Sequence, residues 1–70
     1  MKLSEGIKAV KYIIKKVSGD NELNTFLYSL GCIENEAIQI VKIMRSTLII
    51  NIKGSRFAID KSLANVIEVI

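Results

Sequence analysis

The chain has no histidine, no proline and no tryptophan, only one cysteine, and no aromatics beyond two tyrosines and two phenylalanines. Each scarcity closes off a class of function. Without histidine, a nucleophile–base pair has to be built from lysine and serine, and the commonest nitrogen ligand of transition metals is missing. A lone cysteine cannot form an internal disulfide, which excludes a disulfide-stapled secreted mini-protein. Few aromatics leave little to stack nucleic-acid bases on. The glycines are single and scattered, so no phosphate-cradling loop is present. No apolar stretch approaches the roughly 18 residues of a membrane span, and the opening MKLSEGIKAV has no apolar segment of secretory type. A soluble, cytoplasmic, non-enzymatic protein with no membrane insertion is expected.

What the chain does have is apolar mass. Half of its 70 residues are hydrophobic, mostly Ile, Leu and Val. A chain of this size buries only about 60% of the surface its unfolded form exposes, so a dense core is needed. The β-branched bias tilts the class toward a small β-rich barrel or sandwich. One domain spanning 1–70 is expected.

The net charge of +3 is unevenly placed. Residues 1–16 set Lys2, Lys8, Lys11, Lys15 and Lys16 against Glu5, a local balance of +4, and the remainder sums to −1. A basic first strand is compatible with phosphate or acidic-lipid contact. The plainer reading is preferred: lysines on an exposed edge strand prevent it from pairing with other chains. No nucleic-acid partner is expected.

Residues Ile7 to Val17 read as a strand, with Val10, Tyr12 and Ile14 on one face and a bulge or strand end near Lys15-Lys16. The turn cluster Ser18-Gly19-Asp20-Asn21 supplies a helix start. Leu23, Phe26, Leu27 and Leu30 then follow at i, i+3, i+4 and i+7, which predicts a helix over about 21–30 with one apolar stripe. Gly31 follows as the left-handed residue that ends it. Ala37–Ile43 and Thr47–Lys53 read as strands, the second alternating Leu48, Ile50 and Ile52 against Ile49, Asn51 and Lys53. Gly54-Ser55 marks a tight hairpin into Arg56–Ile59, with Phe57 and Ile59 inward. Asp60 caps a single helical turn over about 61–65, and Val66–Ile70 closes the chain as a strand. Five short strands with tight turns predict a mainly β, closed or nearly closed barrel.

The order and spacing of Leu27, Leu30, Gly31, Cys32, Asn35, Ile38 and Ile40, then Gly54, Ser55, Arg56, Ala58 and Ile59, then Ala64, Ile67 and Val69 resemble the ferrous iron transport protein A (FeoA) family over nearly the whole chain. The resemblance implies an SH3-like β-barrel of about five strands with one inserted α-helix. It also implies a family-level association with transition metal ions. The implied task is that of a cytoplasmic accessory protein binding and modulating the GTPase-containing ferrous iron permease, FeoB. The same barrel occurs in metal-responsive transcription regulators, so a freestanding regulator or nucleic-acid-binding module is the alternative. Two positions depart from the family pattern: Asn35 stands where glycine is usual, and Cys32 where an aliphatic residue is usual. Asn tolerates positive φ well, so the turn survives the exchange.

Cys32 lies past a helix C-terminus with Glu34 and Glu36 nearby, surroundings that hold a thiol protonated, so it reads as a small hydrophobe. Among the carboxylates, Asp20 and Glu22 begin the helix while Glu34 and Glu36 follow its end. Ten helical residues separate those ends by roughly 15 Å, so the four cannot share an ion. No metal site or cofactor is expected beyond weak divalent binding at Glu34 and Glu36, where a solvated turn is the plainer reading. For partner contact the candidates are Lys11, Lys15, Lys16, Tyr28, Arg45 and Arg56, against the plainer reading that Tyr28 covers the barrel rim and the charges are solvated.

Overall fold

β-Branched runs form the strands and the one 3.6-residue apolar stripe forms the helix in the computed structural model, which describes residues 1–70. A single 3-10 turn, Leu3–Glu5, precedes β1 (Lys11–Val17). Then come α1 (Asn21–Leu30), β2 (Ala37–Ile43), β3 (Thr47–Ile52), β4 (Ser55–Asp60), the one-turn α2 (Lys61–Ala64) and β5 (Ile67–Val69). The strands form one antiparallel sheet in the order β4-β3-β2-β1-β5. Curled on itself, it gives the mainly β barrel with an inserted helix that the sequence predicts.

Local chemistry explains each boundary. Asp20 Oδ1 accepts from the Leu23 amide at 2.9 Å, satisfying one of the free N–H groups that begin α1. Gly31 takes φ 100° and its N–H returns to the Leu27 and Tyr28 carbonyls, while the Cys32 amide donates to Leu27 O at 3.0 Å. This is the left-handed helix stop that a residue with Cβ resists. Asn35 also takes positive φ, 74°, in the turn leading to β2. Between β3 and β4 the two-residue loop is Lys53-Gly54, with φ 52° and 81°. Positive φ at both positions is what a hairpin with this strand twist requires.

The core is apolar throughout: Leu3, Tyr12, Ile14, Leu27, Cys32, Ile38, Ile40, Leu48, Ile50, Ile52 and Ile59 are buried, joined by Ala64, Ile67 and Val69 from the C-terminal segment. In β3 the residues Leu48, Ile50 and Ile52 point inward, in the alternation that the sequence shows.

Several expectations are corrected. The first strand starts at Lys11, not Ile7, because the preceding segment turns: Val10 N–H returns to Ile7 O, Ala9 takes φ 71°, and Val10 is exposed. β1 is not an edge strand. Its first half pairs with β2 and its second half with β5, the change falling at an irregularity between Ile14 and Lys16. Edge protection therefore does not account for its lysines; they project from the outer face of a doubly paired strand. Of the two forms expected, closed or nearly closed, the strand order gives the second: it ends at β4 and β5, which α2 connects. The helix stripe is narrower than its spacing suggests: Leu27 is buried, Leu23 and Leu30 are half-buried, and Phe26 is 49% exposed. A short helix that makes no extended contact with any strand buries one residue rather than a full face. Phe57 is half-buried but packs against the core as expected, whereas Asp60 precedes α2 without a side-chain capping bond.

Candidate partner-binding face

Outward-facing residues of four adjacent strands fall into register. Lys11 pairs with Gln39, Gln39 with Asn51, and Asn51 with Arg56, so one row crosses β1, β2, β3 and β4 on the outer face. The alternation that buries Tyr12, Ile38, Ile40, Ile50 and Ile52 turns these four polar side chains outward. Neither Lys11 nor Arg56 belongs to an ion pair; the two pairs present are Lys53 with Glu36 at 3.4 Å and the N-terminal amine with Glu68 at 3.7 Å.

Beside this row lies a groove of about 240 Å³, lined by Lys11, Ala37, Gln39, Asn51, Lys53 and Gly54. Ala37 and Gly54 are the small residues among long ones in this lining. Gln39 is fixed: its Nε2 donates to the Ala9 carbonyl at 2.8 Å, and Ala9 N–H in turn donates to Ile40 O at 2.9 Å. Thus the residues before β1 are held against β2. Asn51 is different. Its Oδ1 is shielded from solvent and has no hydrogen-bond partner, a state that costs about 1–3 kcal/mol.

The remaining candidates are dispersed. Lys16 sits opposite Glu68 on β5, and Lys15 occupies the irregularity beside it, so both lie toward the β5 half of β1. Tyr28 is exposed on α1. Arg45 is exposed in the β2–β3 turn, beyond the start of β3; the four residue steps of strand from Thr47 to Asn51 alone span about 13 Å. Of the six, only Lys11 and Arg56 share one cross-strand row, at its two ends, three strand spacings or roughly 14 Å apart. Reading the sequence for function missed Gln39, Asn51, Lys53 and the small Ala37 between them. Asn51 carried a signal, since asparagine is depleted in strand interiors.

No group of three or more Cys, Asp or Glu side chains is placed to hold a metal ion. Glu36 is instead engaged with Lys53. Cys32 is fully buried, and desolvation pushes its thiol pKa up to about 11, leaving it protonated and unreactive at neutral pH. No helix is long and apolar enough to cross a membrane.

Comparison with curated proteins gives no match. Solved structures do match. An iron uptake regulatory protein, FeoA, is 31% identical with a TM-score of 0.92, the alignment covering 99% of this chain and 93% of that one. The zinc complex of Stenotrophomonas maltophilia FeoA, described as an SH3 domain protein, is 23% identical with a TM-score of 0.88, covering 99% of this chain and 88% of the other. A manganese-dependent transcriptional repressor in complex with manganese matches at TM-score 0.93 but 14% identity, over 100% of this chain and 35% of its own, a likeness of fold alone. The model of the FeoA domain matches residues 1–70. With a whole-chain family match and an FeoA structure at 31% identity, this chain belongs to the FeoA domain family.

Proposed function

We propose that this chain is a non-enzymatic accessory protein of ferrous iron uptake, acting in the cytoplasm by binding the cytoplasmic region of a GTPase-containing, FeoB-like permease. One observation carries the reading: similarity to an iron uptake regulatory protein along 99% of this chain. The chemistry of the molecule agrees with a binding task. It has no histidine, its thiol is buried and protonated, and its carboxylates are not gathered for a metal. Its exposed outer face instead presents Lys11 and Arg56 unpaired on one row. Contacts of this kind suit a small, polar, transient interface.

Capture of the permease's cytoplasmic region by the immobilised protein tests the reading, with salt raised across parallel samples. Retention that weakens with salt supports it; absence of retention at low salt overturns it. The alternative, a transcription-regulator barrel, has fold likeness alone behind it, to structures such as the manganese-dependent repressor. Salt-sensitive retention of duplex DNA with no permease binding would favour that alternative.

A further inference from the structure

The groove beside Lys11 joins three properties: concavity, two lysines on its wall, and the side-chain amide of Asn51. Lys11 comes from β1 and Lys53 from the β3–β4 hairpin, and both line it. Its volume of about 240 Å³ lies below the roughly 300–1,000 Å³ of small-molecule sites. That space suits one side chain, not a nucleotide.

We propose that this groove receives a single glutamate or aspartate side chain carried on an extended peptide segment of a partner protein. The identity of that partner rests on the accessory-protein reading; the site does not. Charge selects a carboxylate. Lys53 meets Glu36, outside the groove lining, at 3.4 Å, so an arriving carboxylate takes that ammonium group from Glu36. The Lys53 side chain in that pair is 59% exposed and Glu36 28%, so solvent screens the pair and leaves it exchangeable. Lys11 has no acid partner at all. Asn51 selects a peptide over a free anion. Its amide lines the groove, and because Oδ1 is shielded from solvent the side chain must turn about χ2 before that oxygen meets a backbone N–H brought by a peptide. Inorganic anions and acetate offer no such donor. Ala37 leaves the space, and Gly54 at the hairpin tip has nothing within 4 Å of where a Cβ would stand, so the mouth is open.

The test is an amide-shift titration of the isolated protein by NMR. The probes are a capped Gly/Ser heptapeptide with one central glutamate, its glutamine counterpart, and sodium acetate. Saturable shifts are expected at Lys11, Ala37, Gln39, Asn51 and Lys53 with the glutamate peptide. Binding of the glutamine peptide and of acetate is expected to be weaker by about tenfold, the scale of losing a charge-assisted hydrogen bond. Lys11→Gln should weaken binding similarly. Ala37→Ile should abolish it with every charge in place, because it fills the groove while suiting a strand. Lys15→Gln should change it less than twofold. Shifts spread over all lysines, unchanged binding in Ala37→Ile, or equal affinity for acetate would each overturn the site. Permease capture that succeeds while the titration fails would sink the groove and leave the accessory-protein reading standing.

Discussion

Lys11 and Arg56 stand at opposite ends of one row of directly paired residues, although they come from the first and fourth strands of the chain. Two exposed cations, neither in an ion pair, are thereby set on one face by strand register. Charge reversal at both, Lys11→Glu with Arg56→Glu, should slow association with the permease's cytoplasmic region and flatten its salt dependence. The fold should be untouched, because rim charges act mainly on encounter. Binding to an immobilised partner at two ionic strengths, with thermal melts as control, reads this out. Association as fast as the parent's would remove the row from the interface.

Lys16 behaves differently because Glu68 is its direct partner on β5. Lys16→Glu sets two acids opposite each other, which should cost about 0.2–1 kcal/mol of stability. The association rate should change less than with the double reversal above. A lower melting temperature with near-parental binding is the expected pair of results.

Leu27 is fully buried and Leu30 only half-buried at the same helix end. Leu27→Ala should cost about 2–5 kcal/mol through the cavity it leaves. Leu30→Ala should cost roughly 1 kcal/mol, in proportion to the smaller area it hides. Urea denaturation of the two variants gives the ranking, and equal losses would contradict the way α1 is seated.

Gly31 combines φ 100° with a neighbour, Ile52 Cγ2, 3.3 Å from where a Cβ would stand. Gly31→Val should destabilise by more than about 1 kcal/mol, with Gly31→Asn distinctly milder, since asparagine enters the left-handed region more easily. Chemical denaturation of both separates backbone conformation from side-chain volume.

Cys32 makes stability depend on pH at the alkaline end. Its thiol pKa is raised from 9.0 to about 11 by burial. Between those values the unfolded chain has released the proton and the folded chain retains it. Stability is thus fully present below pH 9 and declines as pH rises through the folded value. At about 1.4 kcal/mol per pKa unit the loss is about 2–3 kcal/mol. Cys32→Ala should remove that part of the slope, so the difference between the two pH–stability curves is the measurement. Identical slopes would show that the thiol is not desolvated.

Much of this protein is determined locally. The stripe from Leu23 to Leu30, the Asp20 cap and the Gly31 stop define α1 within its own residues. The alternation through Leu48, Ile50 and Ile52 defines β3 and which of its faces is inward. Such features follow from backbone preference and side-chain period, which a short segment carries alone. The tertiary structure decided the rest. Whether β1 lay at an edge depended on β5, whose paired residues come 50 to 55 positions later in sequence. How much of Phe26 was covered depended on where a ten-residue helix came to rest. The groove required Lys11, Ala37, Asn51 and Lys53 to meet, and their meeting is set by strand register. Register arises from the joint fit of inner apolar faces across strands, so no single strand's sequence contains it. The chain's own pattern turned these polar residues outward, but only the packing of the opposite face chose their neighbours.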